Sequence, residues 1–221
     1  MSTSLADETW APGTGTPWSY VLGDRDGAMG IPGLRTLTQG ARLLYQPQGS
    51  FSDMSLILDL TPEKIAGQGF GGAPNYAEIY IKWDPVTKTG YALRFQRLTT
   101  DPLNGNAPIQ SAGNSVKVSM LEYVNGVRTY LPGNYVDSSV FMPGARVEFK
   151  LVGSVLSADV TTESEQTTTQ QGYNLPHQIH FSANVTTAAS TQGGFGVQFV
   201  GSTAAGNRIE LENLQVTLTP R

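Results

Sequence analysis

Residues 75–97 read NYAEIYIKWDPVTKTGYALRFQR, two alternating segments joined by a polar turn, and the fold class follows from this pattern. Ala77, Ile79, Ile81 and Trp83, then Tyr91, Leu93 and Phe95, place an apolar side chain at every second position, which is the period of a pleated strand and not of a helix. The spacing predicts a long β-hairpin turning around Asp84–Gly90, with those seven residues facing a core. Trp83 is assigned to that core with Ile79 and Ile81. Glu78, Tyr80 and Lys82, with Arg94 and Gln96 on the return strand, are expected on a solvated face.

The same signals recur outward from this hairpin. Met54, Leu56, Leu58 and Leu60 alternate within Phe51–Leu60, and Val116, Val118 and Met120 alternate before Asn125-Gly126. An Asn-Gly pair suits a two-residue hairpin turn because both positions take positive φ. Arg146–Val152 and Val155–Thr161 flank Gly153-Ser154 as a further hairpin. Gln178–Val185, Gly194–Val200 and Arg208–Leu218 read as the last strands, and Arg35–Tyr45 as an early one. Thr9–Gly33, rich in Gly, Pro and aromatics, is expected to be irregular, as are the Gly-rich stretch 61–74, the stretch 99–113 and the polar stretch 163–172. With 25 Gly, 13 Pro and 14% charged residues, the chain is expected to carry roughly ten to twelve short strands in two stacked antiparallel sheets. No linker divides the chain, so residues 1–221 are read as a single β-sandwich domain.

The net charge of −4 over 221 residues comes without any basic stripe, which argues against nucleic acid and against an anionic membrane surface as partners. There is no cysteine, which excludes disulfides, thiolate metal sites and Cys nucleophiles. No apolar run approaches the length of a membrane-spanning helix. The opening MSTSLADETW lacks the basic-then-apolar layout of a signal peptide. The chain is expected to be a mature or excised segment working outside the cell or in a periplasm.

The order of segments resembles the concanavalin A-like lectin/glucanase fold, also called the laminin G-like jelly roll. Trp18 precedes a strand containing Gly40 and Leu43, and Ala77–Lys82 precedes Gly90–Phe95. Val124–Gly126 follows, then the hairpin Ala145–Leu156, then Gly194–Val197 and Ile209–Val216. The resemblance implies an all-β, two-sheet antiparallel jelly roll of the kind found in carbohydrate-binding modules, glycoside hydrolases, polysaccharide lyases and adhesive domains. Fold alone does not choose among these.

Side chains narrow the choice. Glycosidases of this fold present paired carboxylates on one strand about 5.5 Å apart for the retaining mechanism, and no such strand is legible here. Glu78 and His180 are the candidate proton-transfer residues, Glu78 through a cross-strand partner in Arg94, and His180 because Gln178-Ile179-His180 is similar to a strand of alginate-type lyases. The ordinary reading of Glu78–Arg94 is an exposed ion pair worth under about 1 kcal/mol. Tyr76, Glu78, Tyr80, Arg94 and Gln96 are the candidate ligand-binding residues, since sugars are held by aromatic faces together with planar polar groups. Phe70, Tyr123, Tyr130 and Tyr135 are further aromatic candidates. By resemblance a structural calcium is expected, held by Glu212 with Asp24 and Asp26 as oxygen donors. The expected function is non-catalytic recognition of a poly- or oligosaccharide, on a concave sheet face bordered by Gly67–Pro74 and Asp101–Gly113, as part of a larger polysaccharide-degrading enzyme. A hydrolase or lyase on the same fold, and a structural domain binding protein, remain the alternatives.

Overall fold

The computed structural model describes residues 2–4, 11–14, 19–25, 28–35, 42–45, 47, 49–63, 76–97, 115–137, 145–162, 169–170, 173–174, 178–185, 193–200 and 208–221, of which 2–4, 11–14, 19–25, 28–35, 42, 61–63, 97, 115–116, 134–137, 162, 169–170, 173–174, 199 and 208–210 are described for their backbone alone. The described residues are all strand, turn or extended chain. In order they are β1 (Ser2–Ser4), β2 (Ala11–Thr14), β3 (Ser19–Arg25), β4 (Ala28–Arg35), β5 (Arg42–Tyr45) and β6 (Phe51–Glu63). The central hairpins follow as β7 (Tyr76–Asp84), β8 (Thr89–Arg97), β9 (Ser115–Val124), β10 (Val127–Asp137), β11 (Ala145–Val152) and β12 (Val155–Thr162). The chain closes with β13 (Thr169–Gln170), β14 (Tyr173–Asn174), β15 (Gln178–Asn184), β16 (Gly194–Val200) and β17 (Arg208–Pro220).

Fifteen of these strands build two antiparallel sheets packed as a sandwich, and β13 and β14 pair with each other as a separate two-stranded sheet. An eight-stranded sheet runs β15-β12-β11-β6-β17-β4-β3, with β1 added to β17, and a seven-stranded sheet runs β10-β9-β8-β7-β16-β5-β2. Met54, Leu56, Leu58 and Leu60 of β6, with Val147, Phe149 and Leu151 of β11, pack against Ala77, Ile79 and Ile81 of β7, Leu93 and Phe95 of β8, and Val118 and Met120 of β9. Each such side chain contributes about 1.5–3 kcal/mol by leaving water. The alternation read from the sequence is therefore the inner lining of both sheets.

Three expectations change. The segment Thr9–Gly33, expected to be irregular, contributes β2, β3 and part of β4, and β3 pairs with β4 from Ser19↔Arg35 to Arg25↔Ala28. Its partner β17 lies far away in sequence, so local propensity could not announce the pairing. The segment Arg35–Tyr45 is not one strand, because β4 and β5 belong to different sheets. Strand β10 runs past Pro132 with a register shift between Tyr130 and Gly133, which is tolerated because β10 lies at the sheet edge, where a missing N–H costs no ladder bond.

The main departure lies in β7. The register of β7 slips between Ile81 and Asp84 against β8 and between Gly194 and Gly196 against β16. At that point Lys82 takes φ +51°. One residue is extra, so every side chain after it changes face. Trp83, expected in the core, joins Tyr80, Ala92, Leu121 and Leu44 on the outer side of the seven-stranded sheet. Lys82, expected on the wet face, turns inward and donates to the Phe51 carbonyl at 2% exposure. Burial and the nearby Arg221 charge hold its pKa below the ordinary lysine value, and Asp53 offsets part of this.

Glycines on both neighbouring strands make room for this bulge. A Cβ at Gly90 would sit 2.6 Å from the Lys82 carbonyl oxygen, and one at Gly193 would sit 2.4 Å from the Lys82 carbonyl carbon. Gly90 also holds φ +151°. Gly193→Ala is expected to lower stability by about 1–3 kcal/mol, read from the urea midpoint. A loss under about 0.5 kcal/mol would show that the bulge is not sterically tight.

Candidate functional site

The outer face of the seven-stranded sheet carries a hollow of about 530 Å³ lined by Tyr76, Glu78, Tyr80, Trp83, Arg94, Tyr123, Gly126, Arg128 and Gln198. Strand pairing brings these positions together. Glu78 is opposite Arg94 and Gln198, and Tyr123 is opposite Arg128 through the Asn125-Gly126 turn. Asn125 and Gly126 take φ +51° and +80°, as a type I′ turn requires. The tip of that hairpin is tied to its neighbour by Gly126 N–H to Lys88 O at 3.0 Å and by Asn125 N–H to Thr89 Oγ1 at 3.1 Å.

The floor is an ordered polar network. Arg94 donates through Nε to Glu78 Oε1 at 2.6 Å, and its Nη2 lies 2.5 Å from the same oxygen. Tyr123 donates to Glu78 Oε1 at 2.8 Å, and the Tyr80 hydroxyl donates to Glu78 Oε2. Gln198 Oε1 lies 2.8 Å from the Tyr80 oxygen. The Arg94 guanidinium lies 3.9 Å from the Tyr76 ring centroid and donates at 3.4 Å to the hydroxyls of Tyr130 and Tyr123. Trp83 packs on Tyr80 with centroids 4.7 Å apart and edge-on to Tyr123 at 5.3 Å.

Burial sorts the predicted residues into two groups. Glu78, Tyr80 and Arg94, expected on a solvated face, are 2%, 1% and 3% exposed. They form the floor, and the exposed ion pair read from the sequence is in fact a buried one. Tyr76, Tyr123 and Gln198 are half-buried and Arg128 is exposed, so these present the accessible groups. Gln96 is half-buried beside Tyr76 and is not part of the lining. Arg128 and Gln198 escaped the sequence reading. Arg128 was recoverable from the Asn-Gly turn, whose register sets it opposite Tyr123. Gln198 was recoverable from the alternation of Phe195 and Val197, which sends it outward. The side chain of Tyr135, the residue Phe70, and the stretches 64–75 and 98–114 expected to border the face lie outside the described residues.

The other candidates lie elsewhere. His180 is on the outer face of the opposite sheet, since its neighbours Ile179 and Phe181 enter the core. Its Nδ1 lies 2.5 Å from Asp159 Oδ1, its cross-strand partner. Glu78 and His180 therefore stand on opposite outer surfaces of the sandwich and cannot serve one reaction centre. Of the expected calcium donors, Glu212 is buried opposite Asp59, and Asn213 Nδ2 donates to Asp59 Oδ2 at 2.7 Å. The side chain of Asp24 and the residue Asp26 lie outside the described residues. Among the described residues no group of three or more His, Asp or Glu is placed to hold a metal ion.

No family model and no curated protein sequence matches the chain. Solved structures do. The exoplasmic/lumenal domain of VIP36, in a form bound to Ca²⁺ and Man3GlcNAc, is similar at TM-score 0.55 and 12% identity over 94% of this chain and 83% of that one. The CBM2 module of the evolved Dit of Lactobacillus casei BL23 phage J-1 is similar at TM-score 0.55 and 9% identity, over 91% and 79%. Peanut lectin, solved with a nine-residue peptide, covers 100% of this chain and 99% of its own at TM-score 0.50 and 14% identity. The chain has the concanavalin A-like jelly-roll fold. At these identities the likeness establishes the fold and leaves the site to be argued from its own residues.

The buried pair and its phenols make two predictions. Removing the charge of Glu78 leaves Arg94 buried without its counter-ion, so Glu78→Gln is expected to destabilise by about 3 kcal/mol or more, measured by urea denaturation. A loss under about 1 kcal/mol would mean that solvent already screens the pair. Burial and the Glu78 carboxylate raise the Tyr123 pKa, and burial with Glu122 raises that of Tyr91 to about 12. Folded-state values above the unfolded one mean that the native state binds more protons in alkali, so stability is expected to fall as pH rises from about 10 through 12. Phenolate absorbance in the folded protein should correspondingly appear late, and Tyr123→Phe should remove part of the delay.

Proposed function

We propose that this chain, taken as one β-sandwich domain over residues 1–221, is a non-catalytic saccharide-binding domain whose ligand occupies the hollow on the outer face of the seven-stranded sheet. The observation that carries the reading is the division of that hollow into a rigid floor and an accessible polar wall. Glu78 accepts from Arg94, Tyr123 and Tyr80, a role that orders the floor and occupies its oxygens. Tyr76, Tyr123, Gln198 and Arg128 then offer ring faces, a phenol, an amide and a guanidinium. This mixture of stacking surface and planar hydrogen-bonding groups suits a hydroxylated ring. Because the floor is already held in place, little ordering cost is left for binding.

The similar structures support the reading in kind, since the VIP36 exoplasmic/lumenal domain is described in a Man3GlcNAc-bound form. In this reading the domain works outside the cell or in a periplasm, attached to a larger polysaccharide-degrading enzyme. Structural calcium belongs to the same proposal, with Glu212, Asp24 and Asp26 as its oxygen donors.

The test is equilibrium binding of the purified chain to a panel of poly- and oligosaccharides, with and without a chelator, while reducing ends and unsaturated products are assayed alongside. The expected result is saturable binding without turnover. Tyr123→Ala and Gln198→Ala should each weaken it about tenfold, in line with the loss of one stacking or hydrogen-bonding partner. His180→Ala, on the opposite surface, should leave it unchanged. Binding that is indifferent to both hollow variants, or product release abolished by Glu78→Gln, would overturn the proposal. Circular dichroism on each variant separates lost binding from lost fold.

A further inference from the structure

The hollow is charged asymmetrically. The chain carries a net −4, yet along β7 to β10 the described side chains on this face include Arg94, Lys117 and Arg128 against one carboxylate, Glu78. That carboxylate is neutralised by Arg94 at 2.5 Å. Asp84, at the end of β7, folds back on its own turn, accepting from Val86 N–H at 2.9 Å and from Thr87 Oγ1 at 2.9 Å. Glu122 lies opposite Tyr91 and Thr129 and so faces away from the hollow.

The cations converge on one ring. The Arg128 guanidinium lies 5.0 Å from the Tyr130 centroid, the Lys117 ammonium 5.2 Å from it, and Arg94 Nη1 donates to the Tyr130 hydroxyl at 3.4 Å. Tyr130 itself is 46% exposed. A phenol ring attracts cations through its face, and with Arg94 already paired to Glu78 the Arg128 guanidinium beside the same ring is a further like charge that an anion would neutralise. Arg128 makes no ion pair among the described residues, lines the hollow and stands at its solvent edge. Its five donors suit the planar oxygens of a carboxylate or the tetrahedral oxygens of a sulfate.

We propose that the ligand is an acidic saccharide, one whose ring carries a carboxylate or sulfate, and that Arg128 receives that charge while the Tyr76–Tyr123–Gln198 wall takes the neutral part of the ring. The inference rests on the saccharide reading above and adds the class of sugar. Lys117 adds a longer-range field from the adjacent strand. The chain as a whole repels anions, so the local surplus selects where on the surface an acidic glycan settles.

The experiment compares three oligosaccharides of matched length by calorimetry: an oligogalacturonate, a sulfated galactan fragment and a neutral galactan fragment. At least one acidic probe is expected to bind about tenfold or more tighter than the neutral one, and the pair of acidic arms tells carboxylate from sulfate. Arg128→Ala should reduce acidic binding by about ten- to a hundredfold, at least tenfold more than it reduces neutral binding, whereas Arg128→Lys should retain part of the preference. Raising salt from about 50 to 500 mM should weaken the acidic arm alone. Equal binding of neutral and acidic probes, or acidic binding indifferent to Arg128→Ala, overturns this inference and leaves the saccharide reading standing. No binding by any probe, with none on the wider panel, overturns both.

Discussion

A single extra residue in β7 sets the arrangement of the outer face. Strand side chains alternate without exception unless the backbone gains a residue, and at Lys82 it does. The consequence is an exchange: an ammonium goes under the sheet and an indole comes out. Trp83 then closes an aromatic group with Tyr80 and Tyr123 against which the Glu78–Arg94 pair is set. Without the slip, the indole would compete for space with Ile81 and Leu93 inside, and the hollow would lose one wall. Gly90 and Gly193 follow from the same constraint, because any side chain there would collide with the Lys82 backbone.

The buried pair illustrates why polar groups persist where apolar ones would be more stabilising. Withdrawing a carboxylate and a guanidinium from water costs several kcal/mol for each ion, and mutual attraction returns this only when the remaining lone pairs and protons are satisfied. Here they are satisfied, through Tyr80, Tyr123 and Tyr130. The net effect on stability is small. What the network confers is geometry, because four strands are locked in register around one carboxylate and the groups above it are held at fixed heights. Burial works against the Arg94 charge, but the Glu78 carboxylate beside it keeps its pKa above the usual arginine value.

The two outer surfaces of the sandwich differ in kind. On the eight-stranded side the alternation is plain: β15 reads exposed, buried, exposed through Gln178, Ile179 and His180, and polar residues such as His180 and Asp159 pair across strands in solvent. On the seven-stranded side β7 is buried along both faces from Ala77 to Trp83. A central strand with polar residues buried on its outer side is unusual for a wet sheet face.

Alternation and turn chemistry carried the fold in the sequence. The repeat of Ile79, Ile81, Leu93 and Phe95 and the Asn125-Gly126 and Gly153-Ser154 turns were enough for two stacked antiparallel sheets, because period and turn type are local properties of the backbone, and the resemblance in segment order implied the jelly roll. The cross-strand pairing of Glu78 with Arg94 was legible for the same reason. Three things were not. Burial of that pair depends on what covers the face, the pairing of β4 with β17 joins residues far apart in the chain, and the bulge at Lys82 leaves no mark in a hydrophobicity pattern, since Lys82 and Trp83 each suit the face that the other occupies. Local periodicity determined which strands exist; only their packing against distant neighbours decided which side chains face the hollow, because a shift of one residue reverses every orientation after it.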